Sequence, residues 1–141
     1  MVKVAVRMPA LTGEAGEYLA DVRALDAAGA AMVALEARGE DLWTLLGAIA
    51  ATTERIGLWL DKAPPPALER VARGRVVVGE PAPGRWVQLA LPPTRDAWAQ
   101  AIRDHEAAGT EGVVVNWDPR LLDLLRNPDP DDRSDLLMST G

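Results

Sequence analysis

The chain has 141 residues, no cysteine and a formal net charge of −6 at pH 7. This length suits one domain with one core, since a chain of this size buries about 68–70% of its unfolded surface. The lack of cysteine excludes disulfides and thiolate catalysis, and the acidic balance argues against nucleic acid as a partner. With no apolar run of about 18 residues and no secretory leader, we expect no membrane span and a cytoplasmic protein.

The first half of the chain alternates apolar strands with amphipathic helices. In chain order, the predicted elements are a strand over 2–8, a helix over 14–28, a strand over 31–35, a helix capped by Asp41 and a strand over 56–60. The strands show a period of two or are wholly apolar, and the helices carry apolar stripes at helical spacing. Gly29 is placed to close the first helix in a left-handed conformation. This order indicates a parallel sheet or barrel.

The second half departs from that rhythm. Its predicted elements are a short helix opened by prolines 64–66, strands over 75–79 and 86–91, a helix capped by Thr94, a strand over 112–115 and a helix begun by Asp118 and Pro119. Only residues 80–85 separate the first two strands, whereas parallel neighbours need a crossover of about a dozen residues. These strands are therefore predicted to be antiparallel, non-adjacent or exchanged between subunits. We expect residues 1–128 to form one domain and residues 129–141 to form an acidic C-terminal tail.

Two segments carry a family resemblance. In residues 22–60, a helix ends in an Ala-Gly turn before a buried strand, and the next helix closes with Ala-Ala-Thr-Thr-Glu-Arg-Ile-Gly-Leu at 50–58. In residues 98–115, Glu-Ala-Ala-Gly leads into Gly-Val-Val-Val. Both are similar to segments of the luciferase-like flavin and deazaflavin oxidoreductases, a family of (β/α) barrels.

A complete barrel of this kind takes about 250 residues, so the resemblance implies a shortened relative whose middle is missing. The expected fold is α/β and TIM-barrel-like, with about six strands. They are expected to be mostly parallel, with an irregular or antiparallel pair near residues 75–91.

Polar residues follow the predicted strands at their carboxyl ends, where barrels of this type bind ligands. These residues are Arg7, Glu36 with Arg38, Asp61 with Lys62, Glu80, and Asn116 with Trp117 and Asp118. Either arginine can take an anionic ligand, and Trp117 and Trp59 can wall a pocket. In the simpler alternative, these charges cap helices and pair with each other.

The resemblance implies FMN or a deazaflavin coenzyme at these strand ends. The end of the second strand, with Glu36 and Arg38, is expected to face the cofactor. The residues predicted to bind it are Arg7, Glu36, Arg38, Asp61, Asn116 and Trp117. A magnesium site formed by Glu36, Asp61 and Glu80 is an alternative if their strands adjoin. No residue is assigned as catalytic.

Other catalytic chemistries lack the residues they need. His105 is the only histidine and is predicted to lie within a helix, and the only serines are Ser134 and Ser139 in the tail. A Ser-His-carboxylate hydrolase is therefore difficult to build. Neither a GxGxxG turn nor a GxxxxGK loop is present, which argues against dinucleotide and nucleoside triphosphate sites.

Two functions of different class remain. The first is a small luciferase-like oxidoreductase homologue, in which the cofactor supplies hydride or oxygen chemistry. The second is a non-catalytic, barrel-derived module that binds a ligand or a protein. In either case about six strands leave open sheet edges, which predicts a homodimer.

Overall fold

The computed structural model describes residues 1–36, 40–79 and 85–127. Its strands are β1 (Lys3–Arg7), β2 (Met32–Ala34), β3 (Gly57–Leu60), β4 (Val76–Val78), β5 (Trp86–Gln88) and β6 (Gly112–Asn116). Its helices are α1 (Ala15–Ala28), α2 (Glu40–Thr52), α3 (Pro66–Ala72), α4 (Arg95–Ala107) and α5 (Arg120–Arg126). Each predicted element overlaps an observed one, so the expectation of a mixed α/β chain is confirmed.

The strands form one parallel sheet in the order β4-β3-β2-β1-β6-β5. The expectation of an irregular or antiparallel pair near residues 75–91 is wrong, because β4 pairs in parallel with β3 and β5 pairs in parallel with β6. Of the three arrangements left open by the sequence, the non-adjacent one is observed. Each strand instead gains a parallel partner through a crossover that contains a helix, α3 for β4 and α4 for β5.

One face of the sheet packs against the helices. Val4, Val6, Val33, Leu58 and Val115 belong to one buried cluster together with residues of all five described helices. From β1 to β4, each strand is added on the same side of the strand before it, and β6 lies on that same side of β5. Right-handed crossovers in one direction place their helices on one side, which accounts for this face.

The opposite face, called here the helix-free face, has its own small cluster. Ala5, Met32 and Val114 form it, and the partly buried apolar residues packed on them come from strands or lie next to one: Ala31, Trp59, Val77 and Trp86. Ala5 is 0% exposed and Val114 is 2% exposed. Strand side chains therefore cover the centre of this face, although its cluster includes no helix residue.

Three predicted helix ends can be compared with the structure. The prediction for Thr94 is confirmed, because its hydroxyl accepts a hydrogen bond from the Ala97 N–H at 3.1 Å. Gly29 closes α1 with φ 95°, also as predicted. The assignment of Asp41 as an N-cap is wrong, because α2 already includes Glu40. The residues that precede this helix, 37–39, lie outside the described residues.

Two further expectations concern the membrane and the tail. Within the described ranges, no helix has both the length and the apolar character needed to cross a bilayer. The predicted tail, residues 129–141, lies outside the described residues.

Candidate functional site

A row of side chains crosses the helix-free face at the carboxyl end of the sheet. The strand register places five residues side by side in the order Val77, Trp59, Ala34, Arg7 and Asn116. Arg7 is on the central strand, and the small Ala34 separates it from Trp59. The Arg7 guanidinium carbon lies 6.0 Å from the centroid of the Trp59 ring. This geometry is that of a cation–π contact.

Trp59 is fixed in place by a hydrogen bond from its ring nitrogen. Its Nε1 donates to the Gly79 carbonyl at 2.6 Å. The Arg7 carbonyl also has a partner, since it accepts a hydrogen bond from the Trp117 N–H at 3.0 Å. Both the indole and the Arg7 backbone are therefore held by the strands around them.

The half-buried Arg7 guanidinium has no hydrogen bond or ion pair with another residue in the part of the chain that the structure describes. A guanidinium carries five N–H donors, and contact with an aromatic face uses none of them. Among the residues that the structure describes, none accepts a hydrogen bond from these donors, which leaves them open to another group. The arrangement can bind an anion beside a flat apolar surface.

The structure brings some of the predicted site residues together and separates others. Arg7 and Asn116 are register partners on neighbouring strands. Trp117 is half-buried and packs against the buried cluster between the sheet and the helices, here called the helix-side cluster, on the face opposite Arg7. Asp61 is exposed in the turn after β3. Of the two tryptophans suggested as pocket walls, Trp59 lies beside Arg7.

The end of the second strand is only partly described. Glu36 is exposed, and Arg38 lies outside the described residues. The charge of Glu36 affects Tyr18, whose pKa is raised to about 12 by burial and then by this carboxylate. The Tyr18 hydroxyl donates to the Pro9 carbonyl at 2.8 Å, so this tyrosine belongs to the packing between α1 and the loop after β1.

The magnesium alternative finds no further support. Glu80, one of its three proposed ligands, lies outside the described residues. Within residues 1–36, 40–79 and 85–127, no group of three histidine or acidic side chains is placed to hold a metal ion.

The segment at 50–58 that carries the resemblance lies at the opposite, amino-terminal end of the strands. Asp26 accepts hydrogen bonds there from the N–H groups of Glu54, Arg55 and Ile56 at 2.8–3.0 Å. Thr53 is buried, and its hydroxyl donates to the Ile49 carbonyl and accepts from Arg75. These residues hold the turn between α2 and β3, which is a structural role.

An open cavity of about 460 Å³ lies beside this turn, lined by residues including Ala20, Arg23, Asp26 and Arg55. Asp26 already uses its carboxylate oxygens on backbone N–H groups. The acidic side chain of Asp26 is therefore committed to the fold, whereas Arg23 and Arg55 stand at the rim of the cavity.

Asp26 supports a prediction on pH dependence. Partial burial opposes its ionisation, but three backbone hydrogen bonds and the charge of Arg75 outweigh this and lower its pKa. A carboxyl with a lowered folded pKa stabilises the fold above its unfolded pKa of about 3.9 and loses that contribution as pH falls through the folded value. We expect Asp26→Ala to cost about 1–2 kcal/mol at pH 7, a figure kept small by solvent screening.

Urea unfolding at pH 7 and pH 3 measures this difference. The difference in the free energy of unfolding between wild type and Asp26→Ala should be smaller at pH 3 than at pH 7. The control Asp96→Ala, at an exposed position, should change this free energy little at either pH. An equal gap at both pH values would contradict a role for the ionised carboxylate.

Comparisons with models of known protein families, with curated proteins and with solved structures give no match.

Proposed function

We propose that the chain binds a flat, anionic small molecule at the carboxyl end of its helix-free face. The observation that carries the proposal is the Arg7 guanidinium over the fixed Trp59 ring. A half-buried cation whose donors are unused by the described residues favours an anionic partner. The site lies on the central strands at the sheet end where parallel α/β proteins bind their ligands.

FMN and the deazaflavin coenzyme are the ligands implied by the resemblance, and the residues fit them. Both molecules combine a flat ring system with anionic groups. Arg7, Trp59 and Asn116 would hold such a molecule, and Ala34 leaves room beside the indole. A bound flavin or deazaflavin supplies hydride or oxygen chemistry, while the protein orients the ring. Loop contacts from Glu36, Arg38 and Asp61 remain predictions.

On this basis the chain acts as a small luciferase-like oxidoreductase homologue. The alternative is a non-catalytic, barrel-derived module for a ligand or a protein. Exposed apolar side chains near the β4 edge favour this alternative, since Val78 is 50% exposed and Val71 of α3 is 42% exposed. An oxidoreductase homologue must bind its cofactor at this site, whereas the non-catalytic module is compatible with ligand binding there but does not depend on it.

The proposal includes a sheet that curls into a shortened (β/α) barrel. Gly79 after β4 and Arg85 before β5 are joined by six peptide units, which reach about 20–22 Å at most. β4 and β5 occupy the two edges, five spacings apart, which is about 24 Å across an uncurled sheet. The covalent chain therefore favours curling, as does the burial of Ala5 and Val114.

A homodimer that covers the sheet edges belongs to the same proposal. In the described residues β4 and β5 each pair on one side only, and unpaired strand edges favour association. Light scattering at micromolar concentration tests this, and the mass of a monomer would contradict it.

Titration with FMN, and separately with the deazaflavin coenzyme, tests the ligand proposal. We expect saturable quenching of tryptophan fluorescence at micromolar ligand, because the ring would lie on Trp59. Arg7→Gln should weaken binding at least about tenfold, since it removes the cation that faces the ligand. Melting temperatures should stay close to that of wild type, as for other partly exposed positions.

Lys3→Gln is the matched control for this titration. Lys3 lies on the same strand and face as Arg7, at the opposite end, and the substitution removes the same charge. It should leave the affinity unchanged. Absence of quenching up to millimolar ligand would reject the flavin and deazaflavin proposal.

A further inference from the structure

We propose that a second copy of this chain binds at the open edge of β4, where the two β4 strands pair antiparallel about a two-fold axis at Val77. The inference rests on the homodimer proposed above and names the surface that forms it. It follows from the directions of the main-chain groups of β4, from two glycines that bound the strand and from the exposed valine side chains beside it.

The main-chain groups of β4 divide between β3 and the open edge. The Arg75 carbonyl accepts a hydrogen bond from β3 at 2.9 Å, and the Gly79 N–H donates one to β3 at 2.8 Å. The groups of successive strand residues point to alternate sides, so Val77 also faces β3. Val76 and Val78 therefore turn their N–H and C=O groups to the open edge, where the described strands supply no partner.

Two glycines fix the register of such a pair. Gly74 and Gly79 have φ of 82° and 78°, so the extended backbone ends at both. Between them, Val76 and Val78 present the outward main-chain groups. Antiparallel pairing of Val76 with the partner's Val78, and of Val78 with the partner's Val76, uses all of these groups. It places the two Val77 residues directly opposite each other.

The side chains at this edge suit a contact between two copies. Val78 is 50% exposed, and Val71 of α3, the helix that leads into β4, is 42% exposed. The described residues of β5, at the other edge, include no large apolar side chain with comparable exposure. A charge beside a two-fold axis would face a like charge, whereas β4 consists of three valines.

The residues that follow β4 in the sequence are weak competitors for its edge. Residues 80–85 include Pro81 and Pro83, which have no N–H group to donate to a neighbouring strand. The same residues connect β4 to β5 at the opposite edge of the sheet, which leaves few of them to run back along β4. A second copy, which carries the same valine strand, is the better partner.

This dimer would extend the row of side chains at the ligand site. Val77 is the outer member of the row that contains Trp59 and Arg7. The partner's Val77 would continue the row beyond the edge, and the helix-free faces of both copies would form one surface. The two Trp59 residues would then lie about 14 Å apart, across three strand spacings.

Cross-linking through a single cysteine tests the inference, because the chain has no cysteine of its own. Opposed residues of a non-hydrogen-bonded antiparallel pair have Cα atoms about 4.5 Å apart, which is within the range of a disulfide. After mild oxidation, we expect Val77→Cys to run mainly as a disulfide-linked dimer on a non-reducing gel. The matched control is Val87→Cys, at the centre of the β5 edge, which should run as a monomer.

Light scattering on Val78→Lys gives a second measurement. The lysine adds a charge to an exposed position of the proposed contact, so the substitution should weaken dimerisation at least about tenfold. Leu11→Lys is the matched control, because Leu11 is an exposed apolar residue outside the sheet, and it should keep the dimer of wild type. Melting curves of each variant separate a loss of association from a loss of folding.

The outcomes separate this inference from the proposals on which it rests. Cross-linking of Val77→Cys, together with weaker dimerisation of Val78→Lys, supports the inference whether or not FMN binds. A wild-type dimer that cross-links through Val87→Cys and not through Val77→Cys, or that is unchanged in Val78→Lys, overturns the inference but leaves the homodimer in place. A monomeric wild type overturns both, and the titration with FMN still decides the ligand proposal.

Discussion

Replacement of Arg75 by methionine should lower the free energy of unfolding by about 2–4 kcal/mol. The guanidinium donates to the carbonyls of Ala72, Ile56 and Ala50 and to the Thr53 hydroxyl, at 2.7–3.2 Å. These acceptors belong to the last turns of α2 and α3, to the residue after α2 and to the residue before β3. Methionine keeps most of the apolar stem but leaves all four acceptors without this donor.

Urea unfolding measures the loss for Arg75→Met. The matched control is Arg70→Met on α3, because Arg70 is exposed and its substitution removes the same charge. The control should stay within about 0.5 kcal/mol of wild type. A value equally close to wild type for Arg75→Met would show that this network adds little to stability.

The second large effect is expected at Gly112. A Cβ atom at this position would lie 2.4–2.6 Å from three ring atoms of Trp86. Real Cβ contacts are not this short, so the indole or strand β6 must shift. We expect Gly112→Ala to cost about 2–3 kcal/mol, the scale of overpacking in a filled core.

Two comparisons isolate the cause at Gly112. In a Trp86→Leu background, Gly112→Ala should cost less than about 1 kcal/mol, because the ring that it meets is gone. Gly47→Ala within α2 meets no atom within 4 Å, and should leave stability unchanged or raise it by up to about 1 kcal/mol. If Gly112→Ala still lowered the free energy of unfolding by about 2–3 kcal/mol in the Trp86→Leu background, the strain would arise in the backbone and not from contact with the indole.

The helices and strands were predictable because their signals are local. The alternation over 2–8, the Thr94 cap and the left-handed Gly29 each depend on a few neighbouring residues. The error at Asp41 is also local in origin, because the helix begins one residue earlier than its apolar stripe suggests. Boundaries of this kind are the least determined part of any helix.

The placement of β4 and β5 depends on pairing between distant strands. The short link between them excludes a parallel neighbour relation, but the sequence does not say which strands they pair with instead. Val76 and Trp86 each pair in parallel with a strand reached through a helix. This outcome follows from tertiary packing rather than from propensity.

The candidate site was predictable in part. The strand-end rule identified Arg7 and Asn116, whereas the contact between Arg7 and Trp59 depends on the register across β2. The position of Trp117 had a usable signal, because Val113 and Val115 alternate with it and belong to the helix-side cluster. The same alternation places Asn116 on the face of Arg7.

The resemblance and the site carry different kinds of information. Residues 50–58, which provide the longest matching phrase, form a turn held by Asp26 and Arg75 at the amino-terminal end of the sheet. The hydrogen bonds of these residues stabilise the turn between α2 and β3 and give no indication of a ligand. The proposed function therefore depends on Arg7 and Trp59, at the opposite end of the strands.

The central claim is that the ligand lies at the carboxyl end of the helix-free face, and NMR tests it most directly. Assigned amide spectra of the chain with and without FMN locate the contact by its shift changes. We predict the largest changes at Arg7, Ala34, Asn116 and the Trp59 indole N–H. Changes confined to the cavity lined by Arg23 and Arg55, or no changes at millimolar FMN, would contradict the claim.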